Sequence, residues 1–105
     1  MALKSLTIEG KLKWHLLPLS ILRGVVRVFM IGAVEYADFD WMDDVKKNPD
    51  TYKDALMRHF ERYQAGEIND SGKKGTDELH LDCLIANAII LSWYEKQRRK
   101  KCKNV

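Results

Sequence analysis

Between Leu79 and Trp93 the chain reads LHLDCLIANAIILSW, apolar on nearly every side of a helix rather than along one stripe. A helix of that kind must be covered from several directions, inside a bundle or at a contact between subunits. The run is nevertheless broken by His80, Asp82 and Asn87. Polar groups buried without partners cost free energy. An earlier segment poses the same problem: Tyr52, Ala55, His59 and Tyr63 recur at steps of three and four, which puts His59 within an apolar stripe. Any fold must cover the last helix and give these groups partners.

At 105 residues there is room for one core and one domain, taken as residues 1–95, followed by a basic tail over 96–105. A chain 46% hydrophobic and 31% charged is globular rather than disordered. Only two prolines and six glycines interrupt it, which favours long helices over many short strands. No apolar run approaches the roughly 18 residues of a membrane span, and Met1–Gly10 lacks the apolar centre of a signal peptide. Cys83 and Cys102 lie in a helical run and in the tail, which does not suggest a disulfide framework. A cytoplasmic location without membrane partners is expected.

The net charge of +3 hides two opposite parts. Residues 96–105, KQRRKKCKNV, hold six basic and no acidic side chains, so the remaining 12 basic residues face 15 acidic ones in the body. The tail has the charge of an anion-binding surface, but no interleaved aromatic residues and no reading motif. Nucleic acid is therefore not the expected partner; a solvated helix end, or a clamp on a neighbouring subunit's acidic face, suits it better.

The periodicity predicts an all-α fold, a small bundle of about three main helices behind an N-terminal arm. Leu3–Leu12 alternates loosely and reads as an extended arm or a short strand. Helix one is expected over Ser20–Tyr36, with Ser20 as cap, since Leu19, Leu22, Val26, Phe29/Met30 and Ala33 recur at helical spacing. MDDVKKNPD reads as a polar connection with Pro49 as breaker. Helix two follows from an Asp50 or Thr51 cap to about Ala65, with Gly66 as its stop. After the loop GEINDSGKKG, Thr76 is the expected cap of helix three, with Asp77 and Glu78 at its positive end. Three helices cannot surround the last of them, so homo-oligomerisation, as a dimer or larger, is expected to complete the bundle.

Glu61, Glu67 and Asp70 gather near the end of helix two, and His80 and Asp82 open helix three. An antiparallel hairpin would bring them and His59 together. Several oxygen donors with a few nitrogens suit Mg²⁺ or Mn²⁺ and suit zinc poorly, because the two cysteines are far apart in sequence. Each residue also has an ordinary explanation. A histidine on an apolar face commonly fills a hydrogen-bonded core position, and Asp70-Ser71-Gly72 is a common turn sequence. Asp77 and Glu78 suit a helix start, and Asn87 can set register in an oligomer core. Asp82 has the fewest polar neighbours to explain it.

Leu17-Pro18, Gly32-Ala33, Tyr36 and Asp40-Trp41, followed by Arg58-His59, Gly66-Glu67, Asp70, Ser71-Gly72, His80-Leu81 and Ala86-Asn87, form an ordered set. Over roughly Lys11–Trp93 the chain resembles a phage domain family of dATP/dGTP diphosphohydrolases, related to the MazG-like all-α nucleotide pyrophosphohydrolases. It departs from that pattern at Glu35, Ala37 and Asp40, where the family has Lys, Gly and Asn, and in the KKGTDEL extension before His80. The resemblance implies a metal-dependent (deoxy)nucleoside triphosphate pyrophosphohydrolase acting on purine nucleotides, in host cytoplasm for a phage protein. Glu67, Asp70 and Asp82 are then the expected Mg²⁺ or Mn²⁺ ligands. His59 and His80 are further ligands or catalytic groups at phosphate and water. Arg58 and Lys74 would contact phosphate, Tyr36 or Trp41 would stack on the base, and Asn87 would hydrogen-bond it. The alternative is a non-catalytic protein that sequesters nucleotides on the same scaffold.

Overall fold

The computed structural model describes residues 10–103. The arm expected over Leu3–Leu12 lies mostly outside them, and Gly10–Leu12 adopts no regular structure. A 3₁₀ turn at Trp14–Leu16 and a second at Leu19–Leu22 lead into α1, Arg23–Glu35. α1 thus begins two residues later than a Ser20 cap predicts, with Leu22 in the cap position. Tight winding after Pro18 occupies that stretch, with Ile21 N–H donating to Pro18 O at 2.9 Å.

The stretch expected as a polar connection is largely helical: α2 spans Asp40–Lys47. Asp40 and Asp43 occupy its first turn and Lys46 and Lys47 its last, matching the helix dipole at both ends. Val45 anchors it as a fully buried residue. Trp41, Met42 and Val45 share its apolar face, but eight residues give that period only one repeat, and the charges mark the helix as clearly. α3, Pro49–Gln64, begins immediately after. Pro49 is its first residue rather than a breaker, where a missing N–H costs nothing, and Asn48 takes the cap position expected of Asp50 or Thr51. Gly66 ends the turn with a φ of 99°, as its expected stop role requires.

α4 spans His80–Lys103 and continues through the basic tail without a break at residue 96. Thr76 is not its cap. Residues 76–79 belong to the preceding loop, where Asn69 and Leu79 form an isolated antiparallel bridge and His80 N–H donates to Ile68 O. The loop is thereby stitched to the first residue of the helix.

α3 and α4 form an antiparallel hairpin, and α1 and α2 pack against α4. The architecture is all-α, with four α-helices among the described residues rather than three. α4 is central, as its composition demands, but it is buried along one stripe only: His80, Cys83, Ala86 and Ile90 are buried while Leu81 and Ile89 remain exposed. Val25 of α1 and Val45 of α2 complete a thin core. Among the described residues no helix is long and apolar enough to cross a membrane.

Candidate functional site

The hairpin brings one residue of each helix into direct contact. His59 Nδ1 lies 2.8 Å from His80 Nδ1, with the rings tilted at 46°. His80 is completely buried. Its Nε2 has no hydrogen-bond partner, and Glu67 Oε1 stands 3.5 Å away. Glu67 also faces Arg62 Nη1 at 3.8 Å. Burial pushes the His59 pKa below its ordinary value; Asp70 opposes that shift, whereas His80, Arg58 and Arg62 reinforce it.

The 66–79 loop adds a second layer. Asp70 Oδ2 accepts from Thr76 N–H at 3.0 Å and is 3.1 Å from Thr76 Oγ1. Thr76 Oγ1 in turn lies 3.3 Å from Cys83 Sγ and accepts from Glu78 N–H at 3.2 Å. Gly75 makes this fold possible, since a Cβ there would meet Asp70 O at 2.2 Å. Burial works to raise the Asp70 pKa, but the two bonds from Thr76 and the nearby imidazoles outweigh it, so the carboxyl titrates below its usual range. Burial raises the Cys83 thiol pKa, partly offset by Thr76.

Four of the residues expected at a catalytic centre, His59, His80, Glu67 and Asp70, therefore meet. Asp82 does not. It points the other way from α4, over Gly24 of α1, where a Cβ would lie 2.0 Å from Asp82 Oδ2. Glu61 is exposed on α3, Arg58 and Lys74 are exposed, and among the described residues none of these three forms an ion pair. Thr76 and Cys83 were missed. His80 and Cys83 lie three residues apart on one helix, and that spacing was the available signal.

The residues expected to bind a base collect elsewhere along the same hairpin. Tyr36 after α1, Trp41 of α2 and Asn87 of α4 line one cleft of about 940 Å³, together with Tyr52 and Ala55 of α3. Trp41 is held by an edge contact with Trp93 at 5.3 Å and by Phe29 at 5.8 Å. Asn87 Nδ2 donates to Cys83 O at 2.9 Å, and among the described residues no donor occupies its amide oxygen. Tyr52 donates to Asp44 Oδ2 at 2.6 Å at the cleft wall, and Asn48 adds a bond at 3.1 Å. The bond from Tyr52, then that from Asn48, lowers the Asp44 pKa; burial first, and then Asp44, raises that of Tyr52. Phe39, with φ 64°, holds a strained backbone turn at the rim.

One donor atom each from His59, Asp70 and Cys83 lies within 4.8 Å of the others. Magnesium takes near-octahedral oxygen ligands, and this trio offers nitrogen and sulfur beside a single carboxylate. Glu67 faces the far edge of His80 and Arg62 rather than the trio, and Asp82 lies against α1. The expected Glu67–Asp70–Asp82 magnesium cage is therefore not assembled among the described residues.

Residues 4–104 match a family model described as dATP/dGTP diphosphohydrolase, N-terminal. Neither a curated protein nor a solved structure matches the chain.

Proposed function

We propose that this chain, which belongs to the dATP/dGTP diphosphohydrolase N-terminal family, hydrolyses a purine (deoxy)nucleoside triphosphate to its monophosphate and pyrophosphate. The observation that carries this reading is the meeting of Tyr36, Trp41 and Asn87 in one cleft of nucleotide size. An aromatic wall gives a base a stacking surface. The Asn87 oxygen complements the exocyclic amino group of adenine or guanine and the ring N1–H of guanine.

Charge favours one orientation for the substrate. Asp38, Asp40, Asp43 and Asp44 line the cleft with Lys47, so phosphate is repelled there. Ala55 lines the cleft and His59 lies one turn further along α3, about 6 Å. The triphosphate then extends toward His59, His80, Glu67 and Asp70, with the exposed Arg58 and Lys74 as its cationic contacts. In this proposal Mg²⁺ or Mn²⁺ arrives on the phosphate oxygens as part of the substrate complex and neutralises their charge.

A second copy of the chain belongs to the same proposal. Val26, Met30 and Val34 form an i, i+4, i+8 stripe on α1 that is 54%, 59% and 89% exposed. A contiguous apolar stripe of that kind marks an interaction face, and the thin core of the single chain supports self-association.

The test is incubation with each deoxy- and ribonucleoside triphosphate in Mg²⁺ or Mn²⁺, followed by chromatography of the products. Monophosphate and pyrophosphate from purine substrates are expected. Saturable binding with no product would instead identify a nucleotide-sequestering protein.

A further inference from the structure

We propose that His59, Asp70 and Cys83 form a binding site for a borderline transition-metal ion of zinc's class. His80 serves as the buried group that orients His59.

The donor set carries the chemistry. A ring nitrogen, a carboxylate oxygen and a thiol sulfur come within 4.8 Å of one another. Around zinc, bonds of about 2.0–2.3 Å set neighbouring donors roughly 3.5 Å apart, so a modest contraction closes the site. Imidazole and thiolate select zinc-like ions over magnesium, which prefers oxygen alone. Both Thr76 bonds to Asp70 use Oδ2, leaving Oδ1 as a donor atom for the ion. Zinc looked improbable only while the two cysteines had to pair; one cysteine with a histidine and a carboxylate is sufficient. Three protein ligands also leave the fourth tetrahedral position for water, the arrangement of catalytic rather than structural zinc.

His80 supplies an independent observation. Its side chain is completely buried, yet Nε2 lacks a hydrogen-bond partner. One proton arrangement suits these groups. His80 Nδ1 presents its lone pair to His59 Nδ1–H at 2.8 Å, and the proton on His80 Nε2 lies on the side of Glu67, whose Oε1 is 3.5 Å away and short of a hydrogen bond. His59 is then fixed in the tautomer whose Nε2 lone pair is free to ligate. Ligating histidines ordinarily have their second nitrogen held in this way. His80 and His59 thus form a relay ending at the ion, with Glu67 behind His80. The Thr76 hydroxyl gives its proton to Asp70 Oδ2 and stands 3.3 Å from Cys83 Sγ, where it can accept from the thiol before an ion replaces that proton. Coordination replaces the thiol proton, which leaves to solvent.

The site shares His59, Asp70 and His80 with the phosphate end of the nucleotide site proposed above, but it does not rest on that reading, and its test reads the metal directly. The full-length protein is titrated with Co²⁺ in the absence of nucleotide. A thiolate-to-cobalt charge-transfer band in the near ultraviolet and strong visible bands of low-symmetry coordination are expected at one equivalent. Zn²⁺ should abolish both, and excess Mg²⁺ should leave them unchanged. Cys83→Ser should remove the charge-transfer band, and His80→Gln should weaken Co²⁺ binding by about 10–100-fold, as for other orienting groups. Cys102→Ser should keep the full spectrum. Circular dichroism confirms folding of each variant. Absence of the band from the wild-type protein, or its persistence in folded Cys83→Ser, would overturn the site. A protein with the Co²⁺ spectrum and no hydrolytic activity would retain this site while losing the function proposed above.

Discussion

His59 and His80, 21 residues apart in sequence, face each other nitrogen to nitrogen at 2.8 Å across the α3–α4 hairpin. Two such nitrogens attract only if one carries the proton and the other presents a lone pair. Nitrogen-15 spectra at neutral pH should therefore show one protonated and one bare Nδ1 in this pair. Two protonated Nδ1 signals would contradict the contact. His80→Ala removes a completely buried side chain and should destabilise the fold by roughly 3 kcal/mol, measured by denaturant unfolding.

Gly24 and Asp82 make a separate contact with a separate forecast. A methyl at residue 24 would meet Asp82 Oδ2 at 2.0 Å and Cγ at 2.7 Å, so Gly24→Ala must displace the carboxylate. Gly24→Ala should lower the melting temperature, and Asp82→Ala in the same chain should recover most of the loss. Because the two residues touch, their effects should be non-additive by about 0.5–3 kcal/mol. Asp82→Asn alone should leave Co²⁺ binding unchanged.

Much of this arrangement was legible in the sequence, and the misses have physical causes. The apolar circumference of Leu79–Trp93 identified α4 as the central helix, and the polar residues interrupting it pointed to the hairpin contact through His80. Periodicity could not tell which way Asp82 faces. It lies two residues from His80, which is 200° around a helix, so both could not face α3. Asp40–Lys47 was missed because its apolar face, Trp41, Met42 and Val45, repeats only once in eight mostly charged residues, too short a window for a period to stand out. Thr76 was misread because capping preferences cannot distinguish a helix start from a loop that bonds an Asp six residues earlier.

Tyr52 and Asp44 give a pH-dependent prediction. The hydrogen bond from Tyr52 favours ionised Asp44, whose pKa in the fold is below the ordinary 3.8. A carboxylate with a depressed folded pKa contributes stability above its unfolded value and loses it as pH falls through the folded one. Tyr52→Phe should therefore melt below the wild type at neutral pH, with the difference shrinking as pH falls below 3.8. A gap that stays constant down to the acid transition would mean that packing of the ring, rather than this bond, sets the effect.

Trp41 and Asn87 test the cleft. Stacking on an aromatic residue contributes about 1–3 kcal/mol per base, so Trp41→Ala should weaken binding of a nonhydrolysable purine nucleotide by about 5- to 150-fold in calorimetry. Trp41→Phe, which keeps a stacking face, should recover part of it. Asn87→Ala should reduce the preference for purines over pyrimidines. Equal losses for purine and pyrimidine ligands would place Asn87 in the scaffold rather than at the base.

The exposed α1 stripe yields the last prediction. Val26, Met30 and Val34 lie on one face of a helix whose other side packs on α4. If that stripe joins two copies, light scattering at micromolar concentration should return a multiple of the 12.2 kDa chain mass. Met30→Asp would place a charge at the centre of the contact, where an unpaired buried charge costs several kcal/mol. It should shift the protein to monomer while leaving its helical signal intact, because Met30 is 59% exposed in the single chain. A wild-type mass near one chain would refute self-association. A variant that remains oligomeric would move the contact away from α1, toward the exposed Leu81 and Ile89 of α4.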